Sequence, residues 1–77
     1  MSVLYELANN SQPWAAERAK IALQVAEGVQ SGALSKDEAR AILEDLVNTD
    51  RLNEEASDAE TRAMLVFGVS QIAQMLV

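Results

Sequence analysis

The sequence contains neither cysteine nor histidine. Disulfides are therefore impossible, and a zinc site would lack its usual thiolate and imidazole ligands. The same absences remove the common nucleophile and base pairs of enzyme catalysis. We expect a protein that is not an enzyme, has no catalytic residues, and binds neither a metal nor a cofactor. The lack of cysteine also fits a cytoplasmic protein.

Basic residues are scarce as well. Six Lys and Arg stand against twelve Asp and Glu, so the net charge is −6. No cluster of bases supplies the attraction to phosphate on which nucleic-acid binding depends. We therefore expect no direct nucleic-acid contact, whereas an acidic surface favours solubility and a basic protein partner.

No segment resembles a secretory signal or a membrane span. Residues 1–10 contain an acid, Glu6, and no base, whereas a signal peptide starts with a basic region. The longest charge-free run, residues 63–77, has fifteen residues where a membrane span needs roughly 20. We expect a soluble protein without membrane contact, located in the cytoplasm or within a virus particle and not secreted through a signal peptide.

Glycine and proline are rare, with three and one residues respectively. Few breaks and a helical apolar period predict a single all-α domain over residues 1–77. The predicted bundle has three main helices, at about residues 12–31, 36–49 and 58–77, and a short N-terminal helix at about residues 3–8.

Capping signals mark the predicted breaks. Ser11 is the expected N-cap of the second helix, with Pro13 in its first turn. Gly32 is placed to end that helix. Ser35–Glu38 and Ser57–Glu60 each have the sequence of a capping box, which predicts the start of the third and fourth helices.

The second helix carries a seam of small residues at steps of four and three: Ala15, Ala19, Ala22, Ala26 and Val29. Alanine at successive positions lets another helix approach to or below the usual ~8–10 Å. The third helix should bury one apolar face, formed by Ala39, Ile42, Leu43, Leu46 and Val47. We therefore predict that these two helices form a hairpin with a short turn.

Oxygen-bearing side chains between the third and fourth helices raise the alternative of a calcium loop. An EF-hand needs oxygens at positions 1, 3 and 5 and glycine at position 6. Counted from Asn48, position 5 is Leu52; counted from Asp50, position 3 is Leu52. The template fails both times, so no calcium site is predicted.

The C-terminal helix is apolar almost all round, and three interpretations are open. A membrane-surface helix would need bases on its polar face, and none follows Arg62. The helix can instead be the core of the bundle or an interface. A domain of this size buries only ~60% of its surface, and its core rarely supplies more than ~3–5 kcal/mol. We favour an interface with other protein subunits, identical or different, formed by Leu65, Val66, Val69, Ile72, Ala73, Leu76 and Val77.

One stretch of sequence carries a resemblance. Gly32-Ala-Leu-Ser-Lys-Asp-Glu-Ala39, followed by Ile42-Leu-Glu-Asp-Leu46 and Thr49-Asp50, resembles a hairpin in small helical accessory and virion proteins of tailed bacteriophages. In those proteins an apolar C-terminal helix follows, so the resemblance covers about residues 32–77. It implies a structural role in a multi-subunit particle and brings no catalytic residues.

We therefore expect a non-enzymatic interaction or structural subunit of a larger assembly, such as a phage particle, that docks through its C-terminal helix. The alternative is a small acidic regulator, an antitoxin or inhibitor, that binds a basic partner through Glu44, Asp45, Glu54 and Glu55. The two hypotheses differ in which surface contacts the partner.

Overall fold

The computed structural model of this protein describes residues 2–10, 12–47 and 59–76. Within them the chain forms four helices and no strand: α1 Ser2–Asn10, α2 Pro13–Ser31, α3 Lys36–Leu46 and α4 Ala59–Met75. The predicted all-α bundle is confirmed. α1 is longer than the predicted 3–8, and α3 ends three residues before the predicted boundary at 49.

The added length of α1 has a local cause. The Asn9 side-chain amide donates to the Tyr5 carbonyl oxygen at 2.8 Å, so this asparagine caps a carbonyl of the helix rather than breaking it. The helix buries Leu4 and Leu7 and packs against both α2 and α4. Both buried leucines lie within the predicted range 3–8.

The start of α2 differs from the prediction by one residue. Its N-cap is Gln12, with extended backbone angles (φ −62°, ψ 152°), instead of Ser11, which lies outside the described residues. The Gln12 side chain does not cap the helix and accepts a hydrogen bond from Trp14 Nε1 at 2.7 Å. Pro13 occupies the first turn as predicted, because its missing N–H has no partner to lose there.

The turn between α2 and α3 is confirmed in detail. Gly32 adopts a left-handed conformation (φ 82°) that suits glycine, and its N–H donates to the Val29 carbonyl oxygen. The Ser35 hydroxyl accepts from the Glu38 N–H at 3.1 Å, and the Glu38 carboxylate accepts from the Ser35 N–H at 3.2 Å. This capping box starts α3 and completes the hairpin. Ser57, from the second predicted box, lies outside the described residues.

All four helices contribute to one core, and the alanine seam of α2 is part of it. Ala15, Ala19, Ala22 and Ala26 are buried, and Val29 is half-buried against the core. The predicted face of α3 is also inside: Ala39, Leu43 and Leu46 are buried, and Ile42 and Val47 are half-buried. Small side chains on α2 thus bring the other helices close to its backbone.

A second close contact was not predicted. At Gly68, an added Cβ would lie 2.7 Å from Leu4 Cδ2 and 3.0 Å from Val3 Cγ1. Glycine therefore lets α1 lie directly on the backbone of α4. This contact fixes which side of α4 faces the bundle and which side faces outward.

Candidate protein-docking surface

The chain itself covers most of the predicted interface. Leu65, Val69, Ile72 and Leu76 belong to the core, with 0–4% of their surface exposed. Burying these four side chains against a partner would require the folded bundle to open. A contact of another subunit with this stripe stays a prediction; in the folded chain the stripe faces α1, α2 and α3.

The other three predicted residues have different surroundings. Val66 is exposed, Ala73 is half-buried, and Val77 lies outside the described residues. A partner that docks on the intact bundle can reach Val66 directly and Ala73 in part. Val66 belongs to an outward-facing surface of α4, and Ala73 lies beside it.

This outward surface of α4 is exposed and uncharged. Phe67 and Met75 keep 59% and 58% of their surface exposed, respectively. From Ala63 to Met75 their exposed neighbours are small, apolar or neutral polar, so a contact over these residues would desolvate no charge; Glu60 lies one turn before Ala63. We call this the outer face of α4; it consists of Ala63, Val66, Phe67, Ser70, Gln74 and Met75.

The outer face follows from the distribution of charge along α4. Glu60 and Arg62 lie in the first turn or directly after it, and no charged residue occurs beyond Arg62. The helical period places Leu65, Val69 and Ile72 inward, so the uncharged residues on the opposite side, such as Phe67 and Gln74, are exposed to solvent. A helix with one apolar face would instead have a charged outer stripe, as α2 has with Glu17 and Lys20.

A groove lies next to the outer face, between α3 and α4. Its volume is about 410 Å³, and it is open to solvent. Apolar side chains form its floor, and polar side chains form its rim. The floor residues are Leu43, Val47, Val69 and Ala73; the rim residues are Arg40 and Glu44 from α3 and Ser70 and Gln74 from α4.

The two charged rim residues differ in their surroundings. Arg40 Nη1 lies 3.9 Å from Asp37 Oδ1, one turn earlier on α3, and both side chains are well exposed. Glu44 makes no ion pair with any of the residues described. It lies in the last turn of α3, which contains no base to offset the partial negative charge of the helix end. Glu44 therefore brings a formal negative charge to this end of the groove, and Arg40 lies one turn before it.

The described part of the chain offers apolar contact surface at the outer face of α4 and in the groove. In it, no three acidic side chains come together in a way that could hold a metal ion. The loop residues considered as calcium ligands, including Asn48 and Asp50, lie outside the described residues. None of the described helices is both long and apolar enough to cross a membrane.

Of the outer face, only Val66 was among the predicted interface residues, and the groove was not predicted. A signal for the first was present, because the C-terminal run is apolar on more sides than a small bundle can cover. The groove has no such signal, since it depends on how far α3 and α4 separate. Comparisons with protein-family models, curated proteins and solved structures yield no match to this chain.

Proposed function

We propose that this protein is a non-enzymatic interaction or structural subunit of a larger protein assembly, for example a component of a phage particle. It docks on another protein subunit through the outer face of α4. The observation that carries the proposal is the exposure of Phe67 and Met75 on a helix face that has no charge.

Exposed apolar residues that occur singly are ordinary on any protein, and Tyr5 and Ile21 are examples here. The outer face differs because Val66, Phe67 and Met75 are exposed on one helix, and the residues between Phe67 and Met75 carry no charge. Exposed large apolar residues on an uncharged surface of this kind are typical of a contact site. Aromatic residues and methionine are also enriched at protein interfaces.

A second candidate function is the acidic regulator, an antitoxin or inhibitor of a basic protein. It is favoured by Glu44 and Asp45, which are exposed side by side at the end of α3. In that case charge, rather than apolar area, dominates binding, and affinity falls steeply as salt is raised. The other two acids of this hypothesis, Glu54 and Glu55, lie outside the described residues.

A comparison of two exposed aromatic residues tests the proposal. Phe67→Glu places a charge on the outer face, and Tyr5→Glu places one on α1, where the wild-type side chain is similarly exposed at 56%. The tagged proteins are recovered from the native source, and the size of the recovered assembly is measured by light scattering. We expect wild type and Tyr5→Glu to be found in a larger assembly and Phe67→Glu to be found as free chain.

Circular dichroism of both variants controls for folding, which exposed positions should leave intact. Phe67→Glu that is folded and still enters the assembly would overturn the proposal. If instead the double change Glu44→Gln, Asp45→Asn releases the protein while Phe67→Glu does not, the regulator hypothesis is the correct one.

A further inference from the structure

We propose that the groove between α3 and α4 binds an amphipathic helix of another protein, and that a lysine or arginine of this helix pairs with Glu44. The inference rests on the proposed docking function and specifies the chemistry of the partner. It concerns the groove residues, whereas the proposed function concerns Phe67 and Met75 on the outer face.

The dimensions of the groove suit a short helical segment. Its α3 wall runs from Arg40 to Val47, which is roughly 10 Å at 1.5 Å per residue, or about two helical turns. Two turns of a partner helix present apolar side chains at positions i, i+3 or i+4, and i+7. These side chains would lie on the floor formed by Leu43, Val47 and Ala73.

The composition of the groove disfavours other peptide conformations. An extended peptide usually binds by adding a strand to the edge of a sheet, and the described residues form no strand. A polyproline segment docks between aromatic side chains, and no aromatic residue lines this groove. A helix needs only an apolar trough between two helices, which is the arrangement present here.

Charge determines which kind of helix fits. On the α3 rim, Arg40 Nη1 lies 3.9 Å from Asp37 Oδ1. Glu44 lies in the last turn of α3, close to the C-terminus of the helix. The α4 rim is neutral, because it consists of Ser70 and Gln74, which can donate or accept hydrogen bonds. A lysine or arginine of the partner helix would therefore be attracted by Glu44, and no positive charge on the α4 rim would repel it.

The same reasoning favours a different protein over a second copy. The chain has a net charge of −6, so two copies repel each other. A basic partner helix is attracted to the whole molecule and guided to the end of the groove at Glu44. Electrostatic attraction of this kind raises the association rate and fixes the orientation of the contact.

Two synthetic peptides test the inference against the full-length protein. Both have the same leucine stripe at helical spacing; one has lysine on its other face, and the other has glutamate. Methyl resonances of the protein are followed by NMR during titration. We expect the lysine peptide to shift the signals of Leu43, Val47, Val69 and Ala73 to saturation, and the glutamate peptide to leave them unchanged.

Single substitutions then locate the contact. Glu44→Gln should weaken binding of the lysine peptide about two- to five-fold, as expected for an exposed ion pair. Glu27→Gln removes the same charge from the exposed side of α2 and should leave the affinity unchanged. Ala73→Phe fills the groove and should abolish the shifts, whereas Ala63→Phe, outside the groove, should not.

Three results would overturn the inference. The shifts could map away from the groove, Glu27→Gln could weaken binding as much as Glu44→Gln, or the groove signals could move with protein concentration alone, which would indicate a second copy. Phe67→Glu distinguishes this inference from the proposed function. Peptide binding should survive that substitution, although the proposed function requires assembly to be lost.

Discussion

Gly68 and Gly28 each lie in tight contact with a leucine side chain, and the two leucines differ in how far they can move. A Cβ at Gly68 would lie 2.7 Å from both Cδ2 and Cγ of Leu4, which is fully buried in the core. A Cβ at Gly28 would lie 2.7 Å from Leu34 Cδ1, but Leu34 is half-buried in the turn before α3 and can rotate outward. The same alanine substitution should therefore have different effects at the two positions.

Gly68→Ala should lower the free energy of unfolding by about 1–3 kcal/mol, the usual effect of overpacking a core. Alanine in a helix interior is about 1 kcal/mol more favourable than glycine. Both variants gain this contribution, so the difference between their stabilities reports the contact with the neighbouring leucine. Gly28→Ala should stay within about 1 kcal/mol of wild type, since Leu34 can move aside. Urea unfolding of the two variants measures the difference, and equal stabilities would contradict the tight contact between α1 and α4.

The capping box of α3 was predictable because it is encoded within four consecutive residues. The side chains of Ser35 and Glu38 each accept a hydrogen bond from the backbone N–H of the other residue, so no residue outside these four takes part. The C-terminus of α3 and the extent of α1 were harder to predict. The extent of α1 depends on Asn9, whose side chain can either end a helix or bond back to it.

Ser35→Ala should destabilise the protein by about 1 kcal/mol, because the Glu38 N–H loses its acceptor. Ser31→Ala is the matched control. The Ser31 hydroxyl donates to the Gly28 carbonyl oxygen, which also accepts from the Leu34 N–H and so remains bonded. The control should change stability by less than about 0.5 kcal/mol. An unmoved urea midpoint for Ser35→Ala would mean that the box does not stabilise α3.

The alanine seam of α2 gives another prediction. Ala22 is fully buried, so Ala22→Leu adds volume where the neighbouring helices are already in contact, and should cost about 1–3 kcal/mol. Gln24→Leu places the same side chain on the exposed stripe of α2 and should be nearly neutral. Thermal unfolding of both variants checks this, and a neutral Ala22→Leu would contradict close packing through the seam.

The whole molecule shows what periodicity can and cannot predict. The spacing of Leu65, Val69 and Ile72 correctly predicts a buried stripe. The spacing alone does not distinguish burial by the chain's own helices from burial by a partner. Here α1 places Leu4 against Gly68, and α2 and α3 also pack on α4, so the chain covers the stripe itself. The outer face of α4 then becomes the surface to explain, and its role as a docking site is a proposal.

Photo-crosslinking from the outer face tests this proposal most directly. A photoreactive phenylalanine analogue is introduced at Phe67 in the full chain, and in a second protein at Tyr5, which is exposed to a similar extent on α1. Each is irradiated in the native source, and the products are identified by mass spectrometry. We predict that position 67 crosslinks to one predominant protein and that position 5 does not. If position 67 gives no more crosslinking than position 5, the outer face of α4 is not a docking surface.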